Sequence, residues 1–424
     1  MLLLTAAVLF LLAGLNYRLG GKSLFHPAVI FCLVWACGVF LIWIMGDFFY
    51  SMSPETLLIF MGGALAFSVG SAVVNLYPRM GHTRQLPSAN NRIINVSIVL
   101  IICGTPLAVR WMLQQIAQHP HSTFLGGAYL TMLDEKVQAT LGYTLFGNLV
   151  IFSNMIALAA FCEREHHKKR WWLALFFALG LNLLTGGRSG IVTLIFALPF
   201  LDWLKTRRIR WKLLISLVLL LFILVSTVAI YLGKAEARAD ASLRENAVPV
   251  MHGLALYGVG ASVAFDKVVR DPALRPHNLG IAVFFIRTLN KLGAGIELRD
   301  PATGFVDIGP NNLIINVYSI YYSYFELGYP AMIGLMILLG LVMTIYYKRA
   351  LAGNPVSAIM YGAFVASLIL SLYAEYFLGY LNYLLKLYVV VWIVYRFPRI
   401  WAAFSGFLKR TVERQLAGTG HISY

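Results

Sequence analysis

Arg188 stands in the turn Thr-Gly-Gly-Arg-Ser-Gly at residues 185–190, between two apolar stretches. A guanidinium presents a planar fork of N–H donors that fits phosphate oxygens two at a time, and Gly186, Gly187 and Gly190 let backbone amides come close to an anion. Seventeen residues separate Arg188 from Arg170 and sixteen separate it from Lys205. At 1.5 Å per residue each arm spans about 24–26 Å, less than the roughly 30 Å of a hydrocarbon core. The turn is therefore expected at or just below a membrane interface, where an unpaired charge is costly. Two readings stay open: a phosphate or pyrophosphate site, and an arginine that ends a helical hairpin and reaches back to the headgroups.

Other residues could share such a site. Arg110 lies near the end of the fourth apolar stretch, at a similar depth, and simple snorkelling fits it equally well. Arg238 and Arg244 follow directly from the eighth stretch, where a lipid phosphate would lie, although residues 233–312 carry nine basic and eight acidic side chains that can neutralise one another. For proton transfer the candidates are Glu326 and Glu375, each at the edge of an apolar helix among aromatics where burial would raise its pKa, and His252 beside the apolar run Leu-Ala-Leu-Tyr-Gly-Val-Gly. A capping or interfacial role is the competing reading for each. Tyr318, Tyr321 and Tyr322 belong to a tyrosine-rich segment that suits both the headgroup layer and the faces of sugar rings. No phosphate-binding loop, dinucleotide fingerprint, HExxH or paired-aspartate motif is present, which argues against nucleotide-bearing substrates. The four cysteines, Cys32, Cys37, Cys103 and Cys162, show no CxxC spacing and read as packing residues. No metal site and no cofactor is expected.

What must position these groups is a set of membrane helices. Of the 424 residues 59% are hydrophobic and 12% are charged, more apolar surface than a soluble fold of this size can hide. Windows of about 20 apolar residues fall near 1–16, 24–45, 57–77, 93–113, 142–162, 171–185, 190–204, 213–232, 330–347, 355–373 and 379–395. The expected fold is all-α: a polytopic helical membrane protein of about eleven transmembrane helices, residues 1–424 forming one integral membrane domain with a long loop over 233–312. The first window has no basic residue before it and two after it, the reverse of a cleaved signal peptide, and reads as a retained helix.

The net charge of +16 could suggest nucleic acid, but its distribution argues otherwise. Alternate loops, at 18–22, 79–92, 163–170, 202–212, 348–349 and 396–414, hold 21 of the 34 basic residues with four acids, and all remaining residues together carry 13 basic and 14 acidic. That is the positive-inside pattern at every crossing. It predicts an amino terminus outside and a carboxyl terminus in the cytoplasm. Within the long external loop, two apolar runs, 254–265 and 279–289, are too short to cross a bilayer and are expected to be interfacial or re-entrant, so that the loop forms a cap on the membrane.

Four short patches carry a resemblance: the early LFHPAVIFCLVW, the TGGRSG turn, ALYGVGASVAF, and NVYSIYYSYFELGYPAMIGLMILLG leading into the ninth helix. Together they resemble the Wzy-type O-antigen or oligosaccharide repeat-unit polymerases of bacterial inner membranes. The resemblance implies a multi-pass inner-membrane glycosyltransferase whose long loop is periplasmic and whose substrates are undecaprenyl-pyrophosphate-linked glycans. Membrane lipid and a chain-length regulator protein are the further partners it implies, and nucleic acid is not among them. In such an enzyme Arg188, Arg110, Arg238 and Arg244 would bind pyrophosphate, Tyr318, Tyr321 and Tyr322 would hold sugar, and Glu326, Glu375 or His252 would serve as base. The chain departs from a pattern of two arginine-bearing external loops, since residues 114–141 contain only Lys136. An O-antigen ligase shares this layout, and a lipid-linked oligosaccharide flippase would also be polytopic.

The charge asymmetry makes a direct prediction about sidedness. Cysteines introduced near residue 207 should resist a membrane-impermeant maleimide added to intact spheroplasts, and cysteines near residue 270 should react. The reverse pattern would invert the topology.

Overall fold

The structure, a computed structural model, describes residues 1–76, 89–118, 124–138, 140–185, 189–212, 214–217, 219, 243–274, 280–296, 305–310, 313–317 and 319–396. These residues are mostly helical. In chain order the helices are α1 (Leu2–Leu19), α2 (Pro27–Met45), α3 (Pro54–Leu76), α4 (Asn91–Ile116), α5 (Phe124–Leu133), α6 (Glu135–Gln138), α7 (Leu141–Cys162), α8 (Lys168–Leu184) and α9 (Ser189–Thr206). They continue with α10 (Leu243–Arg270), α11 (Val283–Lys291), α12 (Ile320–Phe325), α13 (Tyr329–Leu351), α14 (Pro355–Ile369) and α15 (381–396). Two-residue strands β1 (Val306–Asp307) and β2 (Ile314–Ile315) pair antiparallel, the one exception to the all-α expectation among the described residues.

Seven of the eleven expected crossings coincide with helices long and apolar enough to span a membrane, on α1, α2, α3, α4, α7, α13 and α14. The windows at 171–185 and 190–204 lie on α8 and α9, of 17 and 18 residues. The window at 379–395 lies on α15, and most of 213–232 falls outside the described residues. The chain is thus a multi-pass helical membrane protein by its apolar helices. Its surface agrees: α3 turns Leu58, Leu65 and Leu76 outward and buries Gly63, Ala64, Ala66, Ser68, Gly70 and Ser71. Leu57, Ile59, Phe60 and Phe67 are buried beside them, so apolar side chains face both the bundle and its surroundings, as lipid allows.

Small residues set the helix contacts. A Cβ added to Gly70 would overlap the backbone of Ile337, and one added to Gly340 would overlap that of Phe67, so α3 and α13 touch main chain to main chain. Buried polar links reinforce the bundle. Asn16 of α1 donates to Ser68 (2.8 Å), Thr344 of α13 to Ser71 (2.8 Å), Trp35 of α2 to Ser371 (3.0 Å) and Tyr361 of α14 to the Phe25 carbonyl (2.6 Å). Cys32 and Cys162 are buried as packing residues, whereas Cys37 and Cys103 lie on exposed helix surface, against expectation.

The basic loops gather at one end. Arg164 and Arg210 both meet the buried Asp202, Glu163 accepts from the Ala89 amide (2.9 Å), Arg170 donates to Asn91 and Asn95, and Lys348 reaches the Val74 carbonyl. The opposite end is covered by part of the long loop. There Asp266 of α10 accepts from the Ser53 amide and hydroxyl (2.8 and 2.6 Å) and from Thr56 (2.7 Å), at the first turn of α3, while Arg270 closes an ion pair with it (2.7 Å) and donates to the Ser51 carbonyl. Gly309, after β1, sits against the Phe48 carbonyl, and the Tyr50 amide donates to Ile308 (2.8 Å). Part of the long loop thus covers this end of the helices. Residues 254–265 are not a separate short piece. They are part of a 28-residue helix, and Ala255, Val259, Val263 and Phe265 are buried in the core, where this helix packs on α2 and α3. The second run differs: α11 is nine residues long and exposes Phe285 and Leu289, as a helix in the headgroup layer would.

The glycine contact predicts an asymmetric response to a single methyl group. Gly340→Ala should lower thermal stability in detergent by about 1–3 kcal/mol through overpacking. Gly14→Ala, where an added Cβ meets nothing within 4 Å, should be neutral or slightly stabilising. Equal behaviour of the two variants would contradict the main-chain contact.

Candidate functional site

The arms of the 185–190 turn are about 26–27 Å long, as their 17 and 18 residues dictate. A buried amide pair fixes where they end. Asn182 of α8 donates to Asn154 of α7 (2.6 Å) and to the Ala178 carbonyl (2.7 Å), and Thr185 caps the helix by donating to the Asn182 carbonyl (2.7 Å). A side chain on Gly190 would overlap the Asn182 amide, so α9 begins directly against it. Amides this deep in apolar surroundings need partners, and here three helices are tied together one turn before the glycine-rich segment. Arg188 itself lies outside the described residues.

One turn into α9, Thr193 faces the end of α14 and the segment that follows it. Thr193, Ser367 and the tyrosines at 376, 380 and 383 enclose a cavity of about 70 Å³. The rings of Tyr376 and Tyr380 pack 4.8 Å apart, and the side chains of Tyr383 and Thr193 are hydrogen-bonded. Glu375 holds this segment in place. It is 6% exposed and accepts from the amides of Phe377, Leu378 and Gly379 (2.7 Å each) and from the Tyr324 hydroxyl (3.0 Å). Burial pushes its carboxyl up from the ordinary value, and these hydrogen bonds pull it back. On the far side of Leu384 an apolar crevice of about 330 Å³ runs between α13, α14 and α15.

The expected site residues separate into three groups. Arg188, Arg238 and Tyr318 lie outside the described residues, and for Arg244 only the helical backbone of α10 is described. Arg110 is exposed on α4, beside Pro106, at an open groove shared with Phe177 of α8, which puts it on the helix packed against the arginine-turn hairpin. His252 is half-buried with its ring stacked on Phe48 at 4.3 Å, and Glu326 is half-buried at the end of α12. Tyr321 and Tyr322 are corrected by the structure. Tyr321 is fully buried between Trp35 and Phe60 and donates to the Phe60 carbonyl (2.8 Å), and Tyr322 is 4% exposed. Both fill the core and leave no face for a sugar, because α12 packs inward before α13 begins. Glu375 is buried as expected but is engaged by four donors, which makes it the staple of the 375–379 turn rather than a free base.

Sequence reading passed over Asn154, Asn182, Thr193, Ser367 and the tyrosines after α14. Tyrosines recur at 373, 376, 380 and 383, and two asparagines interrupt apolar windows; both signals were legible. Among the described residues no cluster of three or more potential metal ligands occurs. Neither a protein-family model, nor a curated protein, nor a solved structure matches this chain.

The amide pair should behave as a unit. Asn154→Ala and Asn182→Ala should each cost about 0.6–1.7 kcal/mol of stability, and the double variant should cost clearly less than the sum. Strictly additive losses would show that the two amides do not hold one another.

Proposed function

We propose that this chain polymerises oligosaccharide repeat units carried on a polyprenyl pyrophosphate, at the outer face of a bacterial inner membrane. In this reading all eleven windows cross the bilayer, the amino terminus is periplasmic and the carboxyl terminus cytoplasmic. What supports it most is a set of three features: an amide clamp one turn before residues 186–188, a stapled tyrosine segment and the part of the long loop that covers the start of α3. Two lipid-anchored sugars meeting in the plane of a membrane need an anion site, a surface for sugar rings and a cover over both.

The step is a glycosyl transfer. A hydroxyl of the acceptor unit bonds to the anomeric carbon of the growing chain, the bond from that carbon to the pyrophosphate oxygen breaks, and polyprenyl pyrophosphate leaves with the electron pair. The hydroxyl proton passes to a base, for which His252 and Glu326 remain candidates. Negative charge develops on the leaving oxygen, and Arg188, with Arg110, Arg238 and Arg244, would meet it with charge-assisted hydrogen bonds. Glu375 serves here as a positioning residue.

A strain lacking the chain should carry surface glycan with a single repeat unit, since assembly, flipping and ligation still operate. Wild-type chain should restore the long ladder. Arg188→Lys, which keeps the charge but loses the bidentate fork, should give a sparse or shortened one. Bare core in the deletion strain would favour a ligase or flippase, and an unchanged ladder would remove the chain from this chemistry.

A further inference from the structure

We propose that the cavity bounded by Tyr376, Tyr380 and Tyr383 is a sugar-binding pocket, built to hold one neutral ring by its hydroxyls. Three observations carry this. First, five of its lining residues carry a hydroxyl, the three tyrosines, Thr193 and Ser367, and a hydroxyl can both donate and accept as a sugar's own hydroxyls require. Second, no charged side chain is among its lining residues, so a phosphate would enter without a counter-charge, whereas the aromatic rings offer apolar faces to the C–H side of a pyranose. Third, its volume of about 70 Å³ is several times the roughly 10–15 Å³ that a single water needs. That is room for one ring or part of one, and too little for an oligosaccharide.

The surroundings give the pocket a direction. Glu375 fixes the backbone from which Tyr376 and Tyr380 project, and Tyr383 is bonded to Thr193 across the gap to α9. Leu384 lines both this pocket and the apolar crevice of about 330 Å³ beside it. A pocket edged by hydroxyl-bearing residues and sharing a wall with an apolar crevice suits a sugar whose far end is an apolar chain. That the bound sugar belongs to a lipid-linked repeat unit rests on the polymerase reading; that the pocket binds a neutral sugar does not.

The test uses the full-length chain in lipid nanodiscs and saturation-transfer NMR, which reads millimolar binding without turnover. The probes are neutral methyl glycosides of common hexoses and N-acetylhexosamines, with inorganic pyrophosphate as competitor. Wild-type protein should transfer magnetisation to at least one glycoside. Tyr383→Phe should weaken that binding about fivefold, the effect of one lost hydrogen bond, and the double variant Tyr376→Ala/Tyr380→Ala should abolish it. Tyr388→Phe, on the crevice but not the pocket, should leave it unchanged, and pyrophosphate should not displace the glycoside. Because Tyr383 also bonds to Thr193, binding is compared at a temperature where thermal unfolding shows both proteins folded, which separates lost binding from lost fold. No transfer to any glycoside, transfer untouched by the tyrosine substitutions, or displacement by pyrophosphate would each overturn the proposal. Glycoside binding in a protein whose deletion leaves bare core would keep the pocket and discard the polymerase.

Discussion

Lipid gives apolar helices no hydrophobic reason to prefer one another, so a membrane bundle must be held by close packing and by a few well-satisfied polar links. Among the described residues of this chain, α3 and α13 meet main chain to main chain at Gly70 and Gly340. This contact brings Ser71 within reach of Thr344, and it aligns the first turn of α3 so that Ser53 and Thr56 can receive Asp266 of the cap. α12 leads into the same α13 and carries Tyr324, which donates to Glu375. A bulkier residue at either glycine would push these ends apart, and the cap and the stapled turn would lose their common reference.

The second half of the candidate site hangs on α14. Its carboxyl-terminal end carries Ser367 and leads into the Glu375 turn, while its flank packs along α9, whose first residues sit against the Asn154–Asn182 pair. The tyrosine pocket and the amide pair before residues 186–188 thus both rest on α9. This arrangement separates two kinds of chemistry. Uncharged residues line the pocket, and the cationic candidate belongs in sequence to the segment just before α9. A substrate with a sugar joined to a pyrophosphate presents those two needs in adjacent positions.

Much of this was legible in the sequence, and the exceptions have physical causes. Runs of some 20 apolar residues announced seven spans directly, since a single helix of that length satisfies its own backbone in lipid. Residues 254–265 misled because a hydropathy window reads only local composition. The helix continues back through Arg244, Glu245 and Asn246, and what buries its second half is contact with α2 and α3. Tyr321 misled because an aromatic-rich segment reads alike whether it lies at the headgroups or in a core. Glu375 was correctly read as buried, but its partners are amides two to four residues ahead, a turn geometry that composition does not encode. The asparagines at 154 and 182 broke an apolar pattern without having a chemical role of their own, and were passed over for that reason.

The central claim is that this chain joins lipid-linked sugars to one another. The most direct measurement is reconstitution of the purified chain in proteoliposomes with a polyprenyl-pyrophosphate-linked repeat unit as the only glycan, followed by gel and mass analysis of the products. The account predicts a ladder of lipid-linked oligomers, with one polyprenyl pyrophosphate released for each bond formed. Unextended single units in the presence of active, folded protein, or transfer that occurs only when a lipid A core acceptor is supplied, would contradict it.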